Sequence, residues 1–292
     1  MIELPASFRA MPRWWQGGGD WLDALPSLVA DHCRRLQLEL DGPPRHGSNA
    51  LVVPVRRNGE LLALRLTPPT DDVAAEVAAL RFWDGRGTVR LIDADVAAGV
   101  TLLERLDGSR SLNDLPLTEA VPVLGRMMRR LAVPGPPEVL STTAVAAARL
   151  GDLEESWSRL DRPFSRTVLD VALTHALALA ETSSTLAVNG DLHYEQVLAG
   201  RREPWLTVDP VLMRGDIEYD LARMLWSRLD EMSDDAVFEH FHTLVDQAEL
   251  CEERAYAWVV LRSVDYWVWG LDHGLTEDPV RCARLVGLFL SC

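Results

Sequence analysis

An α+β fold in two lobes, a small β-rich one at the N-terminus and a larger, mostly helical one behind it, is what the sequence predicts. Three observations predict it. Over residues 46–106, apolar runs follow the order strand, strand, helix, strand, strand. Beyond Asp107-Gly108 the apolar spacing becomes helical for most of the remaining length. Between those helical stretches lies VNGDLHYEQVL at 188–198, with WLTVDP at 205–210, where carboxylates and an amide stand on loops at strand ends.

Each element has its own signal. Residues 20–39 read as a lead-in helix, with Trp21, Leu22, Leu25, Leu28 and Val29 on one stripe. HGSNALVVPVRR and ELLALRL are two strands joined by Asn58-Gly59, a dipeptide suited to a type I′ hairpin. Residues 70–83 form a helix capped by Thr70, with acidic residues in its first turn and Val73, Val77 and Leu80 on one face. VRLIDADV (89–96) and VTLLERL (100–106) complete the strands, an order that matches a protein-kinase-like N-terminal lobe. Helices are expected at 111–132, 143–160, 165–183, 216–231, 234–248, 251–272 and 278–290, with Asp216 capping the fourth of these. The division into domains is 1–106, a nucleotide-binding lobe with its leading helix, and 107–292, a helical lobe with the catalytic loop and substrate site.

Composition narrows the function. With 48% apolar residues the 292-residue chain can bury a core. No apolar run is long enough for a membrane span and the N-terminus lacks an apolar signal core, which places the protein in the cytoplasm, away from membranes. The net charge of −15 opposes nucleic-acid binding and would draw in a small cation, although an acidic surface also serves solubility. All 29 basic residues besides histidine are arginine, as biased codon usage produces. Cys33, Cys251, Cys282 and Cys292 are scattered, as reduced cysteines within helices are. No protein partner is evident.

The loop block reads as a phosphoryl-transfer centre. In such a centre a loop Asp takes the proton of the accepting hydroxyl, and an amide and a second Asp hold magnesium on the nucleotide phosphates. Those places fall to Asp191, Gln196 and Asp209. His193, beside Asp191, reads as an orienting or packing residue, since no HxH or HExxH accompanies it.

The SNALVVPV strand, the LLERLDGSR segment, the DLHYEQVL loop and REPWLTVDPVLMRGDIEYDL together resemble the aminoglycoside phosphotransferase family, on the streptomycin 6-kinase and hydroxyurea kinase branch. The resemblance implies transfer of the γ-phosphoryl group from ATP, or GTP, to a hydroxyl of a small antibiotic, with Mg²⁺, on a protein-kinase-like fold with a helical substrate lobe. It implies that Gln196 stands where the family carries Asn, and that Arg65 stands where the fold presents a lysine to the phosphates, with Glu76 as its ion-pair partner. Gly47, Ser48 and Asn49 would cover the phosphates, and Glu104 to Leu106 would be the hinge at adenine.

The partners expected are therefore a nucleotide and a small cationic hydroxylated substrate. For the substrate, Trp258, Arg262, Asp265, Trp269 and Asp272 form a second stripe on the 251–272 helix, and Asp230 and Glu231 add negative charge at a helix end. A half-buried helix with a solvated edge explains that stripe equally. Arg65 and Gln196 both depart from pattern, which keeps open a nucleotide- or ligand-binding pseudokinase, and the same fold also serves metabolic small-molecule kinases.

Overall fold

The computed structural model describes residues 2–11, 17–47, 49–68 and 72–291. The chain forms two compact units, Met1–Ser109 with Leu198–Val208, and Arg110–Val197 with Asp209–Cys292. The first unit thus runs three residues beyond the expected boundary and reclaims a short segment from the middle of the second.

In the first unit, β1 (Leu51–Arg57) and β2 (Glu60–Leu66) pair from Arg57↔Glu60 to Leu51↔Leu66. The two-residue turn forces positive φ on both its members, 52° at Asn58 and 83° at Gly59, as a type I′ hairpin requires. β2 pairs antiparallel with β4 (Val100–Glu104), and β4 with the edge strand β3 (Leu91–Asp95), which is bulged between Leu91 and Asp93. Two-residue strands, Glu39–Leu40 and Arg45–His46, flank β1.

Alternation then sorts the side chains. Leu51, Val53, Val55, Leu62, Leu64 and Leu66 form one apolar face, which buries Leu22, Leu25 and Val29 of α1 (Gly18–Arg35). The other face carries Arg65 and Leu103, and Leu103 packs with Leu80 of α2 (Val73–Trp83). Asp72 caps α2 by accepting from the Ala75 N–H at 2.9 Å; Thr70, the expected cap, lies outside the described residues.

The reclaimed segment is a hairpin of Val197–Ala199 and Trp205–Thr207. Thr207 exchanges backbone hydrogen bonds with Gly87 and Val89, both 2.9 Å. Arg202 at its tip donates to the carbonyls of Gly85 (2.7 Å) and Thr88 (2.9 Å) and to the Glu104 carboxylate (3.1 Å). One guanidinium thereby serves two backbone carbonyls and a carboxylate.

The second unit contains α3 (Leu117–Leu131), α4 (Thr142–Arg159), α5 (Arg166–Ala180), α6 (Leu221–Trp226), α7 (Asp234–Ala248), α8 (Glu252–Asp272) and α9 (Asp278–Leu290). α8 is its axis, with Trp258, Val259, Val260, Leu261 and Val264 at most 1% exposed. Trp258 therefore belongs to the core, which corrects its expected place on a ligand-facing stripe.

The expected helix at 216–231 is broken into a 3₁₀ turn (Ile217–Asp220), α6 and a second 3₁₀ turn (Leu229–Glu231). The cause is the burial of three carboxylates. Asp216 does not cap; it accepts from Thr182 Oγ1 at 2.9 Å and Trp258 Nε1 at 3.0 Å, while its own N–H donates to Thr142 Oγ1. Glu218 pairs with Arg254 at 2.8 Å, and Asp220 is 1% exposed. Asp230 and Glu231 consequently open a short turn and do not close a long helix.

Candidate active site

Two loops spring from one end of a two-stranded ladder. β5 (Leu186–Val188) pairs with β6 (Met213–Gly215), Val188 opposite Met213, so the loop leaving β5 and the loop entering β6 begin as neighbours. The first carries Asp191 and Gln196, the second Asp209. Asn189, 2% exposed, ties them by accepting from the Val211 N–H at 3.1 Å. Gly190 has φ +24°, and a Cβ there would lie 2.7 Å from Met213 Sδ and 3.3 Å from Val211 Cγ1, so the close approach of the loops requires glycine.

Within the first loop, Gln196 Nε2 donates to Asp191 Oδ2 at 3.0 Å, and Arg223 Nε of α6 lies 3.2 Å from Asp191 Oδ1. Burial raises the Asp191 pKa, the Arg223 and Arg262 charges oppose that rise, and the nearby Asp209 carboxylate adds to it. Each carboxylate oxygen keeps a lone pair beyond these contacts, which is what a proton acceptor needs.

His193 lies 3.9 Å from Asp191 but is no ion-pair partner. Burial, with Arg223 nearby, pushes its pKa down to about 3, so the ring is neutral at physiological pH.

Beneath the loop, Asp220 accepts from the Leu192 N–H, and burial pushes its pKa up to about 7 against the Arg262 charge. Arg262 itself rests 3.8 Å from the centroid of the Tyr219 ring. Sequence reasoning missed Asp220, Arg223 and Arg262 as members of this site. The available signal was three carboxylates in DIEYDLARMLW, a stretch too apolar to be a solvated face.

The architecture and the site have known counterparts. The chain matches the family described as aminoglycoside/hydroxyurea antibiotic resistance kinase over residues 35–274. It is 37% identical to a streptomycin 6-kinase of Streptomyces griseus, covering 89% of this chain and 87% of that one. It is 36% identical to a hydroxyurea phosphotransferase of Kitasatospora aureofaciens, covering 100% and 87%. The chain belongs to the aminoglycoside/hydroxyurea antibiotic resistance kinase family. Its fold is also that of the aminoglycoside phosphotransferase APH(4)-Ia, solved with ADP and hygromycin B, at a TM-score of 0.62 and 16% identity, covering 90% of this chain and 98% of that one.

The first unit of this kinase assembles the nucleotide-side candidates separately. Arg65, on β2, forms an ion pair with Glu76 of α2, the two side chains 12% and 10% exposed, and donates to Thr67 Oγ1 at 2.9 Å. Gly47 donates to the Ala50 carbonyl at 3.1 Å, closing the turn before β1; Asn49 lies in that turn and Ser48 outside the described residues. The Glu104 carboxylate is committed to the Arg90 N–H and to Arg202, and Leu106 joins the apolar cluster of Leu80, Val89 and Leu103.

The substrate-side candidates are scattered among arginine partners. Asp265 bonds Arg149 at 3.0 Å, Asp272 pairs with Arg159, Asp230 with Arg281 at 2.6 Å, and Glu231 with Arg228 at 2.8 Å. Trp269 is 45% exposed and stacks on Tyr266 at 5.2 Å and on His273 at 4.2 Å between centroids.

Proposed function

We propose that this kinase transfers the γ-phosphoryl group of ATP to a hydroxyl of an aminoglycoside of streptomycin type, with Asp191 as proton acceptor and Gln196 and Asp209 as magnesium ligands. The observation that carries the reading is the Asp191 carboxylate, held from both sides by Gln196 and Arg223 beside the Asp209 carboxylate. The acceptor O–H gives its proton to Asp191 as its oxygen bonds to the γ-phosphorus, and the bond to the β,γ-bridging oxygen breaks to release ADP. Arg223 and Gln196 fix the rotamer of Asp191, so the chemistry is mostly positioning.

The donors suit a hard cation. The amide of Gln196 is turned so that Nε2 serves Asp191, and its buried Oε1 has no hydrogen-bond partner among the described residues. An unpaired acceptor oxygen there and a carboxylate at Asp209 are oxygen ligands that magnesium takes alongside phosphate and water. Bound magnesium would neutralise charge developing on the phosphates. Arg65, held by Glu76, is the candidate phosphate ligand, and its guanidinium can fork onto two oxygens. A reaction consuming ATP fits the cytoplasm, and no described helix is long and apolar enough to cross a membrane.

The test is mass spectrometry of streptomycin and of hydroxyurea incubated with the protein, ATP and Mg²⁺. A phosphoryl adduct on streptomycin that Asp191→Ala abolishes, in a variant with the wild-type circular-dichroism spectrum, is expected. Wild-type turnover by that variant overturns the mechanism, and an adduct on hydroxyurea alone overturns the acceptor.

A further inference from the structure

Arg228 lies between α6 and the 3₁₀ turn Leu229–Glu231, and its side chain is only 8% exposed. A guanidinium so deeply placed needs its charge and its N–H groups met from within the protein. Glu231 takes Nε and Nη2 as a fork, at 2.8 and 2.5 Å. Nη1 donates at 2.9 Å to the carbonyl of Leu115, just past the 3₁₀ turn Leu112–Asp114. Held along both edges, the guanidinium has a fixed plane. It lies over the Tyr194 ring, 5.2 Å from the centroid, inside the roughly 6 Å of a cation–π contact.

Tyr194 puts that contact on the catalytic loop. It opens the 3₁₀ turn Tyr194–Gln196, whose last residue donates Nε2 to Asp191 at 3.0 Å. The same turn packs against Leu112–Asp114, so Arg228 spans two turns that meet. Tyr194 is 1% exposed, and its hydroxyl has no hydrogen-bond partner among the described residues. The loop is therefore gripped by the ring and not by the phenol oxygen. Glu231, expected to meet a substrate cation, is committed to this arginine instead.

We infer that Glu231, Arg228 and Tyr194 form a clamp that positions the catalytic loop: Glu231 aims the guanidinium, the guanidinium seats the Tyr194 ring, and the seated turn keeps Gln196 against Asp191. All three are positioning residues, and none touches a reacting atom. The inference rests on Asp191 being the proton acceptor. Releasing the clamp lowers the fraction of molecules in which Asp191 is aimed, so kcat falls while the acceptor KM holds.

The experiment compares Glu231→Ala, Tyr194→Leu, Tyr194→Phe and the double variant Glu231→Ala/Tyr194→Leu with wild type, reading kcat, the streptomycin KM and hydrogen exchange by mass spectrometry. The Glu231 side chain is 53% exposed, so removing it leaves the fold in place. Glu231→Ala is expected to lower kcat about three- to tenfold at unchanged streptomycin KM. Exchange should quicken at Gln196 and Val197, whose N–H groups bond the His193 and Tyr194 carbonyls, and stay as in wild type along α8. Tyr194→Leu should lose at least as much, Tyr194→Phe, which keeps the ring, should restore most of that loss, and the double variant should fall no further than the worse single one, since both act through one contact. Wild-type kcat in Glu231→Ala overturns the inference, as does a Tyr194→Phe loss equal to that of Tyr194→Leu, or losses that multiply in the double variant. A raised streptomycin KM at constant kcat also overturns it and returns Glu231 to the acceptor. If wild type phosphorylates neither streptomycin nor hydroxyurea, the proposed function falls, and exchange alone decides the clamp: a faster 194–197 segment in Glu231→Ala sustains it, and equal exchange overturns it.

Discussion

In the proposed mechanism two arginine–carboxylate pairs divide the chemistry of this molecule, and they are built oppositely. Arg65–Glu76 is closed in, both side chains about one-tenth exposed, with the arginine as the working group and the glutamate as its holder. Arg223–Asp191 is open, 22% and 37% exposed, with the carboxylate as the working group. A phosphate ligand needs only a fixed charge, so burial in a rigid sheet–helix sandwich suits it. A proton acceptor must stay reachable and basic, so its arginine neighbours are offset by burial and by a second carboxylate.

The largest expected effect breaks the open pair. Asp191→Asn keeps an oxygen for only one of Gln196 and Arg223, which contact opposite carboxylate oxygens, and loses the base, so kcat should fall about 10²- to 10⁴-fold in a variant that still folds. A comparable loss in Arg223→Lys would show that the holder matters as much as the base. Breaking the closed pair should act on folding instead. Glu76→Ala removes the carboxylate that neutralises a nearly buried guanidinium and is expected to cost about 3–5 kcal/mol in urea unfolding, and to raise the KM for ATP more than the KM for the acceptor. If stability is unchanged, the two pairs are not the opposites described.

A smaller effect concerns the metal. Gln196→Asn shortens the side chain, removes its reach to Asp191, and should shift the magnesium concentration giving half-maximal rate; chelation should abolish turnover reversibly. An unaltered magnesium curve would remove Gln196 from the ligand set.

A further effect is on pH. The folded-state pKa of Asp220 is raised to about 7 from 3.8, so between those values the folded chain holds a proton that the unfolded chain releases. Its contribution to stability is present below the unfolded pKa and is lost as pH rises through the folded one. Asp220→Asn, which retains an acceptor for Leu192, should therefore gain on wild type as pH rises from about 4 to 7, by at most about 1.4 kcal/mol per pH unit. A difference independent of pH would count against a protonated Asp220.

Much of this was legible in the residues because the signals were local. Asn58-Gly59 specified its hairpin, and the helix at 234–248 was read to the residue, since period and turn chemistry act over a few positions. Asp191, Gln196 and Asp209 were expected together from their block of sequence, and the structure puts the Gln196 amide 3.0 Å from the Asp191 carboxylate. What the sequence hid was long-range charge compensation. Asp265 finds Arg149 across 116 positions and Asp272 finds Arg159 across 113, so an apparently acidic ligand face is a set of neutralised pairs. The break at 216–231 was hidden for the same reason, because the groups that bury Asp216 come from Thr142, Thr182 and Trp258.

The hairpin between Gln196 and Asp209 has one more consequence. Both candidate ligands stand at the feet of a single excursion whose tip Arg202 fastens to Gly85, Thr88 and Glu104. Extra length placed among 200–204 would loosen Arg202 from its three acceptors, but would leave the feet of the hairpin in place, since lengthening a turn adds little closure entropy. The same insertion at 208 would move Asp209 itself. For anyone grafting a tag or a fluorophore into this enzyme, the milder point and the more disruptive one lie only a few residues apart.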